Sequence, residues 1–311
     1  MQTIQGQILN LKQPNEVISY LKQLERKVIT ADPKRLKIFI DQEQAYLLMD
    51  EGLKPVYPIR KVFLIKLLKW FNISYDSISH LSDEIITAIC NENLSNINHK
   101  EINVTIENGE ALTLNSPNYT RISDLDIIEI ADKIGISKIS RDDYFLRIFT
   151  KKKLEVAPLV NDVCGFGFNI VNSETGFSPV KLEHFILRYW CTNGATAPIS
   201  IQNEVYFHYK SSKENILKLA IGSLNNADSS RQLFIRKLKE SADQESIKYF
   251  PDIIFRVNSI LSQSYNNSFF NGFDKRSSKY NLFNHITDKA KKFDLLKRYK
   301  LEQLAGNIIL N

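Results

Sequence analysis

The stretch FGFNIVNSETGFSPVKLEHFILRYWCTNG, residues 166–194, contains two strand-like runs separated by a polar turn. Both runs are rich in β-branched and aromatic residues, which fit a pleated surface, and the Asn, Ser and Gly residues between them supply turn chemistry. Segments of the same character lie on either side of this stretch. Together they predict an antiparallel sheet from four successive strands, at 144–151, 166–172, 183–191 and 205–210.

Helical patterns flank these strands. Apolar residues recur at helical spacing in 15–29, 59–71, 82–94 and 123–134, and after the strands in 212–222, 229–241, 252–263, 278–293 and 295–310. Between the early helices, residues 102–106 alternate in polarity, and Asn108-Gly109 predicts a tight hairpin turn. The predicted fold class is therefore α+β, with a central antiparallel sheet of mid-chain strands packed by N- and C-terminal helices. We expect a mainly helical extension at 1–80 and an α+β domain at 81–311.

The composition indicates a folded globular protein. Of 311 residues, 43% are hydrophobic and 24% charged, while only 11 are Gly and 9 are Pro, which excludes disordered and fibrous chains. No apolar run approaches the roughly 18 residues that a membrane span requires. We therefore expect a soluble, cytoplasmic protein without a membrane partner. The three cysteines, at 90, 164 and 191, have no paired spacing and suggest neither a disulfide framework nor a zinc site.

Positive charge is concentrated at both ends of the chain. The net charge is +6, but residues 81–145 carry 12 acidic and 5 basic side chains, whereas residues 1–80 carry 12 basic and 8 acidic ones. Residues 261–311 carry 9 basic and 4 acidic side chains. Such clustering favours a polyanionic partner because binding releases counterions. For any single cluster, a solvated helix face is the better explanation.

Alternation along the predicted strands places cations beside aromatic rings. Phe145, Arg147 and Phe149 share one face of their strand, and Arg188 and Trp190 share a face of theirs. This mixture suits single-stranded nucleic acid, whose bases stack on rings while its phosphates are neutralised. The alternative is a half-buried sheet in which the aromatic residues belong to the core. The nucleic-acid contacts predicted from the strands and the C-terminal cluster are Arg147, Lys151, Arg188, Trp190, Tyr206, His208, Lys210, Lys289, Lys292 and Arg298.

Known enzyme signatures are missing from the sequence. It has no GxxxxGK[ST], GxGxxG, HExxH or GxSxG pattern, so we expect no cofactor, no metal ligand and no catalytic residue. A metal-dependent nuclease remains an alternative, with Glu174 and Asp162 as its candidate acids. The polar turns offer another ligand site at one edge of the sheet, and its candidate residues are Asn172, Ser173, Glu174, Thr192 and Asn193.

Four motifs occur in a recognisable order. They are LNSPNYTRIS at 114–123, NSETG at 172–176, CTNG at 191–194, and NLFNHIT at 281–287 followed by RYKLEQLAG at 298–306. In these motifs, residues 80–311 resemble a family of phage- and plasmid-associated proteins of undefined activity, often labelled phage/plasmid-like proteins. The resemblance implies a role on a mobile element and a distant likeness to strand-annealing proteins of the RecT and Red-beta type. It identifies no catalytic residue.

The sequence therefore predicts a non-enzymatic protein that binds single-stranded DNA or RNA, anneals complementary strands and forms a homo-oligomer. The metal-dependent nuclease is one alternative. The other is a partner of a host protein that modulates a host defence system, with the acidic stretch 81–145 as its contact surface.

Overall fold

A computed structural model shows an α+β architecture in which antiparallel sheets are flanked by helices, and this confirms the predicted fold class. Among the helices described, none is both long and apolar enough to cross a bilayer. The structure describes residues 9–11, 14–41, 44–49, 56–133, 135–150, 154–159, 162–188, 196–206, 214–215, 218, 227–261 and 266–310.

Strands and helices are numbered here in chain order. The described strands are β1 Leu9–Leu11, β2 Arg26–Ala31, β3 Leu36–Asp41, β4 Gln44–Met49, β5 Val56–Pro58, β6 Ile102–Glu107, β7 Glu110–Asn115, β8 Ile136–Arg141, β9 Leu146–Thr150, β10 Leu154–Leu159, β11 Asp162–Asn172, β12 Val180–Arg188 and β13 Thr196–Tyr206. The described helices are α1 Pro14–Gln23, α2 Lys61–Trp70, α3 Tyr75–Ile78, α4 Asp83–Ser95, α5 Asp124–Asp132, α6 Ala227–Asp243, α7 Phe250–Leu261, α8 Asn266–Phe269, α9 Lys279–Ala290 and α10 Leu295–Leu310.

The largest described sheet has the strand order β1-β8-β9-β11-β12-β13, with β10 also paired to β11. The long strand β11 pairs with β10 near its start and with β9 near its end, so β9 and β10 follow one another along the same edge. The strands predicted at 144–151, 166–172 and 183–191 overlap β9, β11 and β12. The strand predicted at 205–210 overlaps only the end of β13, and residues 207–210 lie outside the described part of the chain.

The first 80 residues differ from the predicted helical extension. They contain β1–β5 as well as α1–α3, and β2 pairs with β6 while β3 and β4 form a hairpin. The helix predicted at 15–29 ends at Gln23, because the chain then enters the pairing between β2 and β6. One hydrophobic core joins Leu36 and Phe63 to Leu94 and Leu114, so residue 80 is not a boundary between packed units.

Helices cover both faces of the large sheet around β9 and β11. On one face, Ile148 and Ile170 pack against Val17 of α1 and Ile127 of α5. On the other face, Phe145 and Val171 pack against Tyr299 of α10. Helices α6, α7, α9 and α10 share a further apolar core, made up of residues such as Leu238, Val257, Phe283 and Leu304. In this region the sheet is therefore a buried layer and does not form an open platform.

A buried group of charges connects the sheets. The Glu107 carboxylate on β6 contacts Arg26, accepts from Arg60 Nη1 at 2.7 Å and lies 3.6 Å from Arg141 Nη2. Its side chain is fully buried. Burial alone would raise the pKa of Glu107, but the charges of Arg26, Arg141 and Arg60 outweigh it and lower the pKa below its ordinary value. Arg60 also contacts Asp143 at 2.9 Å, so this group spans several elements.

Replacing Glu107 should destabilise the protein strongly. The Glu107→Gln substitution removes the charge shared by the three arginines, and breaking buried ion pairs typically costs about 3–5 kcal/mol. We expect the free energy of unfolding, measured by urea titration, to fall by about that amount. The matched control is Glu110→Gln, because Glu110 pairs with Arg60 at 2.7 Å but its side chain is 25% exposed. If Glu110→Gln lowered the free energy of unfolding as much as Glu107→Gln, the central role of Glu107 would be contradicted.

Candidate functional site

The NSETG motif, residues 172–176, forms a buried turn between β11 and β12. Asn172 Nδ2 donates to Asp124 Oδ1 at 2.8 Å, and Ser173 Oγ accepts from Phe177 N at 2.8 Å. Both side chains are buried and hydrogen-bonded within the protein, but Asn172 Oδ1 has no hydrogen-bond partner among the described residues. That these two side chains hold a ligand stays a prediction. The other two predicted ligand residues, Thr192 and Asn193, belong to the second polar turn and lie outside the described part of the chain.

Positive charge surrounds Glu174. Its carboxylate contacts Arg26, lies 3.4 Å from Arg121 Nη2 and accepts from Asp124 N at 2.7 Å. A metal ion would have to displace these arginines, so Glu174 does not fit the role of a nuclease ligand. Over the described part of the chain, no group of three or more His, Cys, Asp or Glu side chains is arranged to hold a metal. The side chain of Asp162, the second candidate acid, is outside that part.

Gly176 joins the turn to helix α2. The Lys66 ammonium donates to the Gly176 carbonyl oxygen at 2.8 Å. Gly176 has a φ of +76°, and a Cβ at this position would lie 2.5 Å from Lys66 Nζ. Only glycine combines this backbone conformation with so close an approach by the lysine. Gly176, the last residue of NSETG, therefore allows the turn to contact Lys66 of α2.

Beside this contact lies a cleft of about 360 Å³, here called the lysine cleft. Four ammonium groups and three half-buried aromatic rings line it, together with two carboxylates and several apolar side chains. These charged and aromatic residues are Lys61, Lys69, Lys297, Lys300, Tyr75, Tyr144, Phe177, Asp76 and Asp294. The cleft thus brings α2, the residue after NSETG and the first turns of α10 together.

Cations and rings are in direct contact in the lysine cleft. Lys61 Nζ lies 4.9 Å from the centroid of the Tyr75 ring, and Lys69 Nζ lies 5.3 Å from that of Phe177. The Tyr144 ring meets Phe177 edge to face, with centroids 5.2 Å apart. This combination of rings and ammonium groups is the one that the sequence predicted on the sheet.

The lysines of the cleft repel one another. Burial lowers the pKa of Lys300, and the nearby charges of Lys69 and Lys297 lower it further, against the opposing effect of Asp294. Asp76 lies 3.7 Å from Lys297 Nζ. The cleft therefore holds an excess of positive charge that its own carboxylates neutralise only in part.

Helix α2 presents lysines to two different cavities. Lys61, Ile65 and Lys69 are spaced four residues apart and line the lysine cleft. Lys66 and Trp70 have the same spacing and line a second cavity on the other side of the helix. The sequence shows basic residues among the apolar positions of 59–71, which indicates a helix with lysines around a buried face. It does not show that this helix separates two cavities.

The predicted strand contact Arg147 is corrected. Its side chain is 2% exposed, and Arg147 Nη2 lies 2.9 Å from Glu302 Oε2 on α10. The guanidinium is also 5.1 Å from the centroid of the Tyr299 ring. Because α10 covers this face of β9, Arg147 stabilises the docking of a helix and cannot reach a ligand at the surface.

The other predicted strand contacts are not described by the structure. Arg188 ends β12 and Tyr206 ends β13, but their side chains are outside the described set. The remaining four are entirely outside it, namely Lys151, Trp190, His208 and Lys210. Their predicted contacts with nucleic acid stay predictions.

The C-terminal cations have different environments. Lys289 is half-buried in α9, and Lys292, just beyond that helix, is exposed. Arg298 Nε donates to Glu302 Oε1 at 2.8 Å, so Arg298 is engaged within α10. None of these three lines the lysine cleft, whereas Lys297 and Lys300 from the same cluster do.

Part of the acidic stretch 81–145 is internal. Glu107, Asp124, Asp142 and Asp143 are at most 9% exposed. Asp124 Oδ2 accepts from Arg141 Nε at 2.8 Å, so these carboxylates stabilise the fold. They are unavailable to a protein partner. Any contact of this stretch with a host protein would therefore have to use its exposed acidic residues.

Replacing Lys66 should stabilise the protein at neutral pH. Burial, together with the charge of Lys69, lowers the pKa of Lys66 to about 8. Between about pH 8 and 10.5 the unfolded chain therefore binds more protons at this lysine than the folded chain, and this difference makes stability rise with pH. Lys66→Met keeps the apolar stem and removes the charge. At pH 7 we expect its free energy of unfolding to exceed that of the parent by on the order of 1–3 kcal/mol.

Urea unfolding at pH 7 and pH 9.5 measures this effect, and the advantage of Lys66→Met should shrink at the higher pH. The control is Lys292→Met, since Lys292 is exposed and is not among the charges that lower the pKa of Lys66, so its replacement should change stability by only about 0.5 kcal/mol. A Lys66→Met protein less stable than the parent at pH 7 would show that the bond to Gly176 outweighs the cost of burying the charge.

Comparisons of this chain with protein-family models, with curated proteins and with solved structures find no match.

Proposed function

We propose that the chain binds single-stranded nucleic acid and that the lysine cleft is the binding site. The supporting observation is the contact between ammonium groups and half-buried rings at one cleft, with Lys61 against Tyr75 and Lys69 against Phe177. Proteins that bind single strands combine a cationic groove for the phosphates with aromatic side chains on which bases stack.

The two carboxylates of the cleft leave an excess of two positive charges among its four lysines. Asp294 Oδ1 accepts from the backbone N–H of Lys297, and Asp76 lies near the ammonium of the same residue. Within the described part of the chain, Lys61, Lys69 and Lys300 have no carboxylate within 4 Å. These three cations are free to neutralise phosphates.

The clustering of the lysines favours a binding site for an anionic ligand over an ordinary solvated surface. Lys69 and Lys300 are both exposed, yet partial burial and the nearby charges of Lys69 and Lys297 lower the pKa of Lys300, so these ammonium groups lie close enough to repel one another. This repulsion destabilises the free protein slightly, and a bound polyanion relieves it. The same lysines would then contribute to affinity through counterion release.

The rings favour a single strand over a duplex. In a duplex the bases are stacked on one another and their faces are inaccessible to Tyr75, Tyr144 and Phe177. In a single strand the base faces are exposed, and stacking on an aromatic side chain contributes about 1–3 kcal/mol per base. We therefore expect oligothymidylate to bind more tightly than a duplex of equal length.

Neutralising the cleft lysines should weaken binding and reduce its dependence on salt. Each phosphate contact contributes about −0.7 to the slope of log affinity against log salt concentration for a single strand. Lys69→Met and Lys300→Met should each reduce the magnitude of the slope by about that amount, and Phe177→Leu should weaken binding with little change in slope. Fluorescence anisotropy of a labelled oligothymidylate across a salt series measures both quantities.

The matched control is Lys292→Met, because Lys292 belongs to the same C-terminal cluster, is exposed and does not line the cleft. It should leave the slope unchanged. If Lys292→Met and Lys69→Met weakened binding equally, binding would be a diffuse surface effect. Undetectable binding by the parent at low salt would exclude the proposed function, and cleavage of the oligonucleotide in the presence of Mg²⁺ would favour a nuclease.

A further inference from the structure

The second cavity beside α2 is separate from the lysine cleft and has a volume of about 520 Å³. We call it the Lys66 pocket. Its size falls within the range of about 300–1,000 Å³ that is usual for small-molecule sites. The residues that matter for its chemistry are Lys66, Trp70, Asn96, Asn98, Asn115 and Tyr119.

The charge of this pocket is unbalanced. Lys66 is 8% exposed, and none of the described residues lining the pocket is an Asp or Glu. An ammonium has three N–H donors, and the structure shows one of them donating to the Gly176 carbonyl oxygen. Burying a charged group without a counter-charge is costly. An anion in the pocket would supply both the missing charge and further acceptors.

The pocket also offers an aromatic ring beside the lysine. Trp70 follows Lys66 by one helical turn, so both side chains lie on the same side of α2. The Trp70 ring is only partly buried and meets His99 edge to face, with centroids 6.2 Å apart. An indole face at a cavity wall is suited to stacking against a planar ring.

Amide side chains complete the lining. Asn96 and Asn98 are exposed near the end of α4, and Asn115, at the end of β7, is 5% exposed. Each amide provides both donors and an acceptor, the combination that pairs with the edge of a nucleobase. The pocket therefore joins a cation, a stacking surface and base-edge partners in one cavity.

We infer that the Lys66 pocket binds one nucleotide unit, with its base against Trp70 and its phosphate at the Lys66 ammonium. Two sources share this chemistry, a free mononucleotide and the phosphorylated end of a nucleic-acid strand. The inference does not depend on the lysine cleft, because the two cavities are lined by different lysines and different rings. They share one contact, since Lys66 Nζ also lies 5.5 Å from the centroid of the Phe177 ring.

Isothermal titration calorimetry with adenosine monophosphate, adenosine and inorganic phosphate tests this inference on the full chain. We expect adenosine monophosphate to bind at least tenfold more tightly than either of its parts. Lys66→Met should weaken that binding at least tenfold, as should Trp70→Leu. Lys292→Met, at an exposed residue that lines neither cavity, serves as the unaffected control. Lys66→Met is expected to fold, since it relieves the cost of a buried charge.

Competition identifies the source of the nucleotide. Displacement of adenosine monophosphate by a 5′-phosphorylated oligonucleotide, but not by its unphosphorylated form, supports a strand end as the ligand. Binding of the mononucleotide without such displacement supports a free nucleotide. No binding of any of the three small probes to the parent protein, or equal binding to Lys66→Met, would overturn the inference. Binding of unphosphorylated oligothymidylate to the lysine cleft is measured separately, so failure of one site is distinguishable from failure of the other.

Discussion

The structure depends on the sharing of one buried carboxylate by several arginines. Glu107 on β6 neutralises charges from β2, from the large sheet and from Arg60, the residue directly before α2. Buried guanidinium groups cannot lose their protons, so their positions are fixed by the carboxylates available to them. Because Arg60 is held in this way, the first turn of α2 is held as well. The orientation of Lys61, Lys66 and Lys69 is thus a consequence of charge pairing in the interior.

Local features of the fold were predictable from the sequence because their causes are local. Asn108 and Gly109 both adopt positive φ, at 51° and 79°, as their hairpin turn requires. Ser123 caps α5 through a reciprocal pair of hydrogen bonds with Asp126, and Gly135 after that helix has a φ of +94°. The N-terminal strands were missed because the helical spacing of 15–29 continues into residues that pair with β6.

The candidate site was less predictable because it is built from contacts between distant parts of the chain. Alternation in 144–151 correctly places Arg147 and Phe145 on one face, but it does not show that α10 covers this face with Glu302 and Tyr299. Charge counts by segment likewise cannot separate buried acids such as Glu107 from exposed ones. The expected chemistry of rings beside cations is present at a different position, between α2, Phe177 and α10.

Helix α2 forms a wall shared by the two cavities. The turn that contacts it also borders both, since Gly176 lines the Lys66 pocket and its neighbour Phe177 lines the lysine cleft. The position of this wall is fixed by the interior, because Phe63, Leu64 and Leu67 of α2 are buried in the main hydrophobic core. A substitution on the buried face of α2 would therefore alter the shape of both cavities at once, although it touched neither of them directly.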